Sequence, residues 1–164
     1  MKRYLFWIVM CVWIGPACGQ SPHRIVFYNV EKLFDTFDDP LTRDDEFTPQ
    51  GAKHWTRERY MTKLRKLSEA LDSIGGGKLP LVVGLAEVEN RKVLEDLTEK
   101  TVLADGQYGI VHRDSPDARG IDVALLYRKN EMELLETDFL RIPFPEDSTI
   151  RTRDILYAKT LFRT

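Results

Sequence analysis

Glu87 closes the apolar run Leu79-Pro80-Leu81-Val82-Val83-Gly84-Leu85-Ala86. Such a run reads as a strand covered on both faces, where an unpaired carboxylate is costly. A charge delivered at its end therefore belongs to a site, because ligands of open α/β sheets gather outside the carboxyl ends of the strands. A second apolar segment, Ile25-Val26-Phe27-Tyr28, ends on Asn29, whose amide can bind a metal or a phosphate, and Glu31 follows two positions later. If the two strand ends face one pocket, the chemistry on offer is that of carboxylates placing a divalent cation.

Positioning these groups requires two neighbouring parallel strands. Residues 24–29 read as the first. Residues 35–50, punctuated by Pro40 and Pro49, read as a loop. Six carboxylates crowd it, among them Asp38, Asp39, Asp44, Asp45 and Glu46, but the EF-hand pattern with its central glycine is missing, so the loop reads as a solvated lid or rim. Thr56 can cap a helix to about Ile74, in which Met61, Leu64, Leu67, Leu71 and Ile74 recur at helical spacing. Gly75-Gly76-Gly77 stops it and residues 79–86 return as a strand, for which a parallel, right-handed crossover is expected.

Asn90 can cap a second helix to about Lys100, with Val93, Leu94 and Leu97 inward. Residues 108–112 and 121–127 read as paired strands, followed by two more near 132–141 and 155–162. The class is α/β, a mixed β-sheet flanked by helices. His112, at a strand end, and His54, beside Trp55, read as structural histidines.

Three blocks occur in a telling order: Asn29-Val30-Glu31-Lys32-Leu33-Phe34-Asp35, Leu85-Ala86-Glu87-Val88-Glu89-Asn90, and Arg119-Gly120-Ile121-Asp122-Val123-Ala124-Leu125-Leu126-Tyr127-Arg128, with Thr152-Arg153-Asp154-Ile155-Leu156 after them. Together they resemble the opening motifs of the endonuclease/exonuclease/phosphatase family, the superfamily of deoxyribonuclease I. The resemblance implies about half of that fold's four-layer α/β sandwich. It makes Glu87 a metal ligand, Asn29 a residue that orients the site, Glu31 a second, outer ligand and Arg153 a contact to substrate phosphate. Asp122 would help orient a proton-transfer group. The implied cofactor is Mg²⁺ or Mn²⁺, which needs only one or two protein carboxylates beside substrate oxygens. The implied substrate is a phosphoester, whether nucleic acid, phospholipid or small phosphate ester.

The family's later motifs, Gly-Asp-Phe-Asn-Asp and Ser-Asp-His, have no counterpart in the chain. The expectation is therefore a truncated, weakly active or inactive hydrolase whose uncovered sheet favours self-association. The competing expectation is a non-enzymatic surface lipoprotein that binds through the same fold.

With 164 residues and a net charge of −2, the chain suits one modest domain and shows no broad basic face of the kind that tracks nucleic acid. Lys2 and Arg3 precede an apolar stretch at 5–14, too short to span a bilayer, which reads as an export signal over residues 1–19 ahead of a domain at 24–164. The expected location is periplasmic, or associated with the outer membrane or cell surface. Cleavage after Gly19 and lipidation of Cys18, within Gly15-Pro16-Ala17-Cys18, are the two routes the sequence leaves open. Both cysteines, Cys11 and Cys18, fall in this segment, so the domain has no disulfide framework. Multiple acyl chains anchor stably where one is marginal. Lipidation therefore predicts that the wild type enters the detergent phase and Cys18→Ala the aqueous phase; aqueous partition of both would identify cleavage after Gly19.

Overall fold

The computed structural model describes residues 23–147 and 149–163. Cys11, Cys18 and the export segment lie outside the described residues. The elements follow in the order β1 (Ile25–Leu33), α1 (Arg57–Gly75), β2 (Val82–Val88), α2 (Arg91–Glu99), β3 (Tyr108–His112), β4 (Asp122–Arg128), β5 (Met132–Leu140) and β6 (Ile155–Phe162). The first four strands form one mixed sheet in the order β1-β2-β4-β3, and β5 and β6 form a separate antiparallel pair. β1 and β2 are parallel, as the crossover through α1 requires. β2 and β3 both run antiparallel to β4, so α2 makes a second crossover between strands of like direction.

The helices begin and end where side-chain chemistry allows. The Thr56 hydroxyl accepts from the Arg59 N–H at 3.4 Å, and Asn90 Oδ1 accepts from the Val93 N–H at 3.0 Å, each cap contributing about 1 kcal/mol. At the far end of α1, Gly76 turns left-handed at φ 60° while the Arg24 guanidinium donates to the Gly75 carbonyl at 2.6 Å.

Both helices lie on one face of the sheet. Leu64, Leu67 and Leu71 of α1 and Val93, Leu94 and Leu97 of α2 close over Val83, Leu85 and Val88 of β2, together with Ala124 and Leu126 of β4. The Tyr60 hydroxyl donates to Asp96 Oδ2 at 3.1 Å, joining the helices. Ile74, expected on the inner stripe, is instead half-exposed, because Gly75, four residues beyond Leu71, takes the buried position in the last turn.

The apolar run ending at Ala86 was expected to be covered on both faces, and it lies beside residues 123–127 of β4. Their inward residues are dry, but Val82, Gly84, Val123, Leu125 and Tyr127 are only half-buried, since the helices occupy one side. The β5–β6 hairpin approaches the sheet through β6 and β4. Its Leu140, Ile155, Tyr157 and Leu161 remain exposed.

The acidic segment is more ordered than a solvated loop. Phe47, at the end of a short 3₁₀ turn (Asp45–Phe47), stacks on Phe34 with centroids 4.3 Å apart and meets Trp55 edge-on at 6.0 Å. The Trp55 indole N–H donates to the Phe34 carbonyl at 3.0 Å. The turn is tight enough that a Cβ on Gly51 would collide with the backbone of Asp45 and Glu46. Gly51→Ala should lower stability by about 1–3 kcal/mol, read from the urea midpoint; an unchanged midpoint would show that the turn yields freely.

Candidate metal and phosphate site

The inward positions of β2 alternate as Val83 and Leu85, both almost fully buried, so a regular strand would drive Glu87 into the same apolar core. That does not happen. On β4, Val123 and Asp122 are consecutive partners of Ala86 and Val88, which leaves Glu87 as an extra residue in a β-bulge. Its φ is +67°, a left-handed conformation costing a non-glycine residue roughly 1–2 kcal/mol. Val88 thereby takes the core position, with no exposed surface, and the Glu87 side chain reaches the rim, 20 % exposed.

β1 breaks register opposite this bulge, between Asn29 and Leu33. Glu31 and Lys32 adopt positive φ values of 53° and 62°. The distortion turns Asn29 toward Glu87: its Nδ2 donates to Glu87 Oε1 at 3.1 Å, while its Oδ1 accepts from the Glu31 N–H at 2.9 Å. Those partners fix which end of the amide faces which way, because a carboxylate can only accept and a backbone N–H can only donate. Asn29 is thus hydrogen-bonded to Glu87 through its nitrogen, and its oxygen is engaged by Glu31.

Lys63 of α1 holds the strained turn from below, donating to the Glu31 and Lys32 carbonyls at 2.7 and 3.0 Å. Burial lowers its pKa, opposed by the charges of Glu31 and Glu87. The role of Lys63 is visible only once the β1 turn is known.

Arg153 reaches the same carboxylate from the other sheet, its guanidinium 3.9 Å from Glu87 Oε1. Its neighbour Asp154 supplies the reason. Asp154 is buried and takes the Arg113 guanidinium on Oδ2 at 2.9 Å and Arg141 Nε on Oδ1 at 2.8 Å, clamping the start of β6 to the end of β3. Burial alone would raise the Asp154 pKa. The hydrogen bonds and charges of the two arginines outweigh burial and hold it below the usual carboxylate range. Arg119 is held in the same manner by both oxygens of buried Asp117, at 2.9 and 2.6 Å.

Asp122 is placed elsewhere. Its Oδ1 accepts from the Ser115 N–H at 2.8 Å, and its Oδ2 lies 3.4 Å from His112 Nε2. Among the described residues, His112, Asp114 and Asp122 form a group whose ligand atoms lie within 4.8 Å of one another. Glu89, two residues beyond Glu87, is buried and accepts the Asp35 N–H at 2.6 Å. Burial and the charges of Asp35, Asp44 and Asp39 push its pKa up to about 8 against that hydrogen bond.

Two cavities flank this region. One of about 580 Å³ is lined by Asn29, Glu31, Trp55 and Lys63, and another of about 570 Å³ by Asp35, Glu89, Asp114, Asp122 and Arg151. Glu87 lines neither; its carboxylate sits at the open rim.

The model of the Endonuclease/Exonuclease/phosphatase family matches residues 24–164, and the chain belongs to this family. No curated protein and no solved structure matches it significantly. Membership places the chain, at family level, among nuclease- and phosphatase-type hydrolases, a generally metal-dependent group.

The Asp154 clamp carries a pH dependence. A carboxyl held below its unfolded pKa of about 4 contributes its stability fully above that value, and the contribution disappears as pH falls through the folded value. Asp154→Asn should cost about 1–3 kcal/mol at pH 7, with the gap to wild type closing toward pH 2 in urea titrations. A gap independent of pH would show that the clamp is not electrostatic.

Proposed function

We propose that the chain is an exported phosphoesterase module in which Glu87 holds Mg²⁺ or Mn²⁺ while Arg153 and Arg119 receive the oxygens of a substrate phosphate. The supporting observation is the strained bulge at Glu87: it moves one carboxylate out of the core to the mouth of two parallel strands, where Asn29 orients it and Arg153 faces it. The donor set fits the cation. Both protein contacts fall on Oε1, leaving Oε2 for the metal, and a single carboxylate suffices for a cation that keeps several waters. Glu31 is the outer ligand in this reading. When bound, the cation polarises the phosphoryl group and stabilises the leaving oxygen. The protein's own part is to place the phosphate: the planar guanidinium forks bind oxygen pairs, and Asp117 keeps the Arg119 fork in one orientation.

One observation favours low turnover, or the second reading as a surface binding module. Among the described residues, no histidine pairs with Glu87: His23 is near Glu131, His112 is near Asp122, and the His54 carbonyl accepts from Arg59. A nearby general base is what separates binding a phosphoester from hydrolysing it. The substrate class stays at phosphoesters, and anchoring at the cell envelope depends on Cys18.

Glu87→Gln keeps the shape of the side chain and removes its charge. Calorimetric titration should show Mg²⁺ or Mn²⁺ affinity falling at least about tenfold with the thermal midpoint unchanged. Equal affinities would remove Glu87 from the metal site. A parallel assay with bis(p-nitrophenyl) phosphate separates the two readings: slow Mn²⁺-dependent hydrolysis lost in Glu87→Gln marks an enzyme, whereas metal binding without hydrolysis marks a binding module.

A further inference from the structure

We propose that His112, Asp114 and Asp122 form a second metal site, separate from Glu87, that takes a Zn²⁺-like divalent cation. The His112 side chain is only 2 % exposed, yet its Nε2 has no hydrogen-bond partner. An unpaired buried polar nitrogen costs about 1–3 kcal/mol, which gives the position a use for a ligand. That nitrogen lies 3.4 Å from Asp122 Oδ2. Two donors each about 2.1 Å from one tetrahedral ion stand about 3.4 Å apart, so the spacing that is poor for a hydrogen bond between them suits a shared cation.

The supports are already in place. The Ser115 N–H occupies Asp122 Oδ1 at 2.8 Å, which turns Oδ2 toward the imidazole in the way an outer-shell donor orients a ligand. Asp122 itself is buried, so its carboxylate stays where the backbone puts it. Asp114 supplies the mobile member: its side chain is 84 % exposed, and since the ligand atoms of the three residues already lie within 4.8 Å of one another, a change of rotamer closes the group onto an ion.

Donor chemistry selects the cation class. An imidazole with two carboxylates favours Zn²⁺ and its neighbours over Mg²⁺ or Ca²⁺, which prefer oxygen alone. Three protein donors leave a position for water beside the acidic cavity that Asp114 and Asp122 help to line. The ion would join the end of β3 to the start of β4 and so brace the intervening loop, which carries Asp117 and Arg119. The proposal does not depend on the assignment of Glu87.

Zn²⁺ titration of the full chain in a Glu87→Gln background tests it with the first site disabled. One Zn²⁺ per chain should still bind, with affinity falling at least about tenfold in Asp114→Asn and further in His112→Ala. Co²⁺ added in place of Zn²⁺ should give visible absorption bands that His112→Ala removes. If His112→Ala fails to fold by circular dichroism, the exposed Asp114→Asn variant decides the matter. Zn²⁺ binding unaltered by Asp114→Asn, or no uptake at neutral pH, would overturn the proposal.

Discussion

A strand whose alternate residues feed a dry core cannot hold a carboxylate at the next inward position, and β2 meets this constraint with one extra residue. The bulge at Glu87 moves Val88 into the core and rotates Glu87 to the rim, at a backbone cost of roughly 1–2 kcal/mol. Burying an unpaired carboxylate would cost more. The matching distortion in β1 follows from it: Asn29 can meet Glu87 only if the chain turns sharply after it, and that turn uses two further left-handed residues, Glu31 and Lys32, with Lys63 satisfying their carbonyls.

The rest of the site is organised by buried aspartates that hold exposed arginines. Asp154 fixes Arg113 and Arg141, and Asp117 fixes Arg119. In each pair the carboxylate is dry and the guanidinium keeps much of its surface in water. The ion pair therefore gains from low dielectric on one side while the arginine remains available to an anion. The Asp154 clamp also sets where Arg153 stands, since the two residues are adjacent at the start of β6. A guanidinium at the start of β6 is thereby brought to a carboxylate at the end of β2.

Family membership and this geometry support each other without resting on the same facts. The match over residues 24–164 defines the class of hydrolase. The positions of Glu87, Asn29 and Arg153 come from the bulge, the amide network and the hairpin clamp. Asp122 illustrates the difference: it belongs to the motif around Arg119, yet its contacts are with His112 and Ser115.

Much of the fold was legible in local pattern. Thr56 and Asn90 cap helices because a side-chain oxygen two or three residues ahead of free N–H groups needs no distant partner, and the apolar spacing of α1 and α2 marked the residues that face the sheet, Ile74 excepted. The strand-end logic that singled out Glu87 and Asn29 was equally local. The sequence did not reveal the extra residue in β2, the left-handed backbone at Glu31 and Glu87, or the half-buried outer face of the sheet. Each depends on which strand lies beside which and on what covers the second face. Lys63, Asp154 and the His112 group acquired their roles in the same way, through partners 31 or more, 41 and 10 residues away. Helices and caps are decided by neighbours within one turn; a bulge, a clamp or a shared cation position is decided by distances that exist only after the sheet has closed.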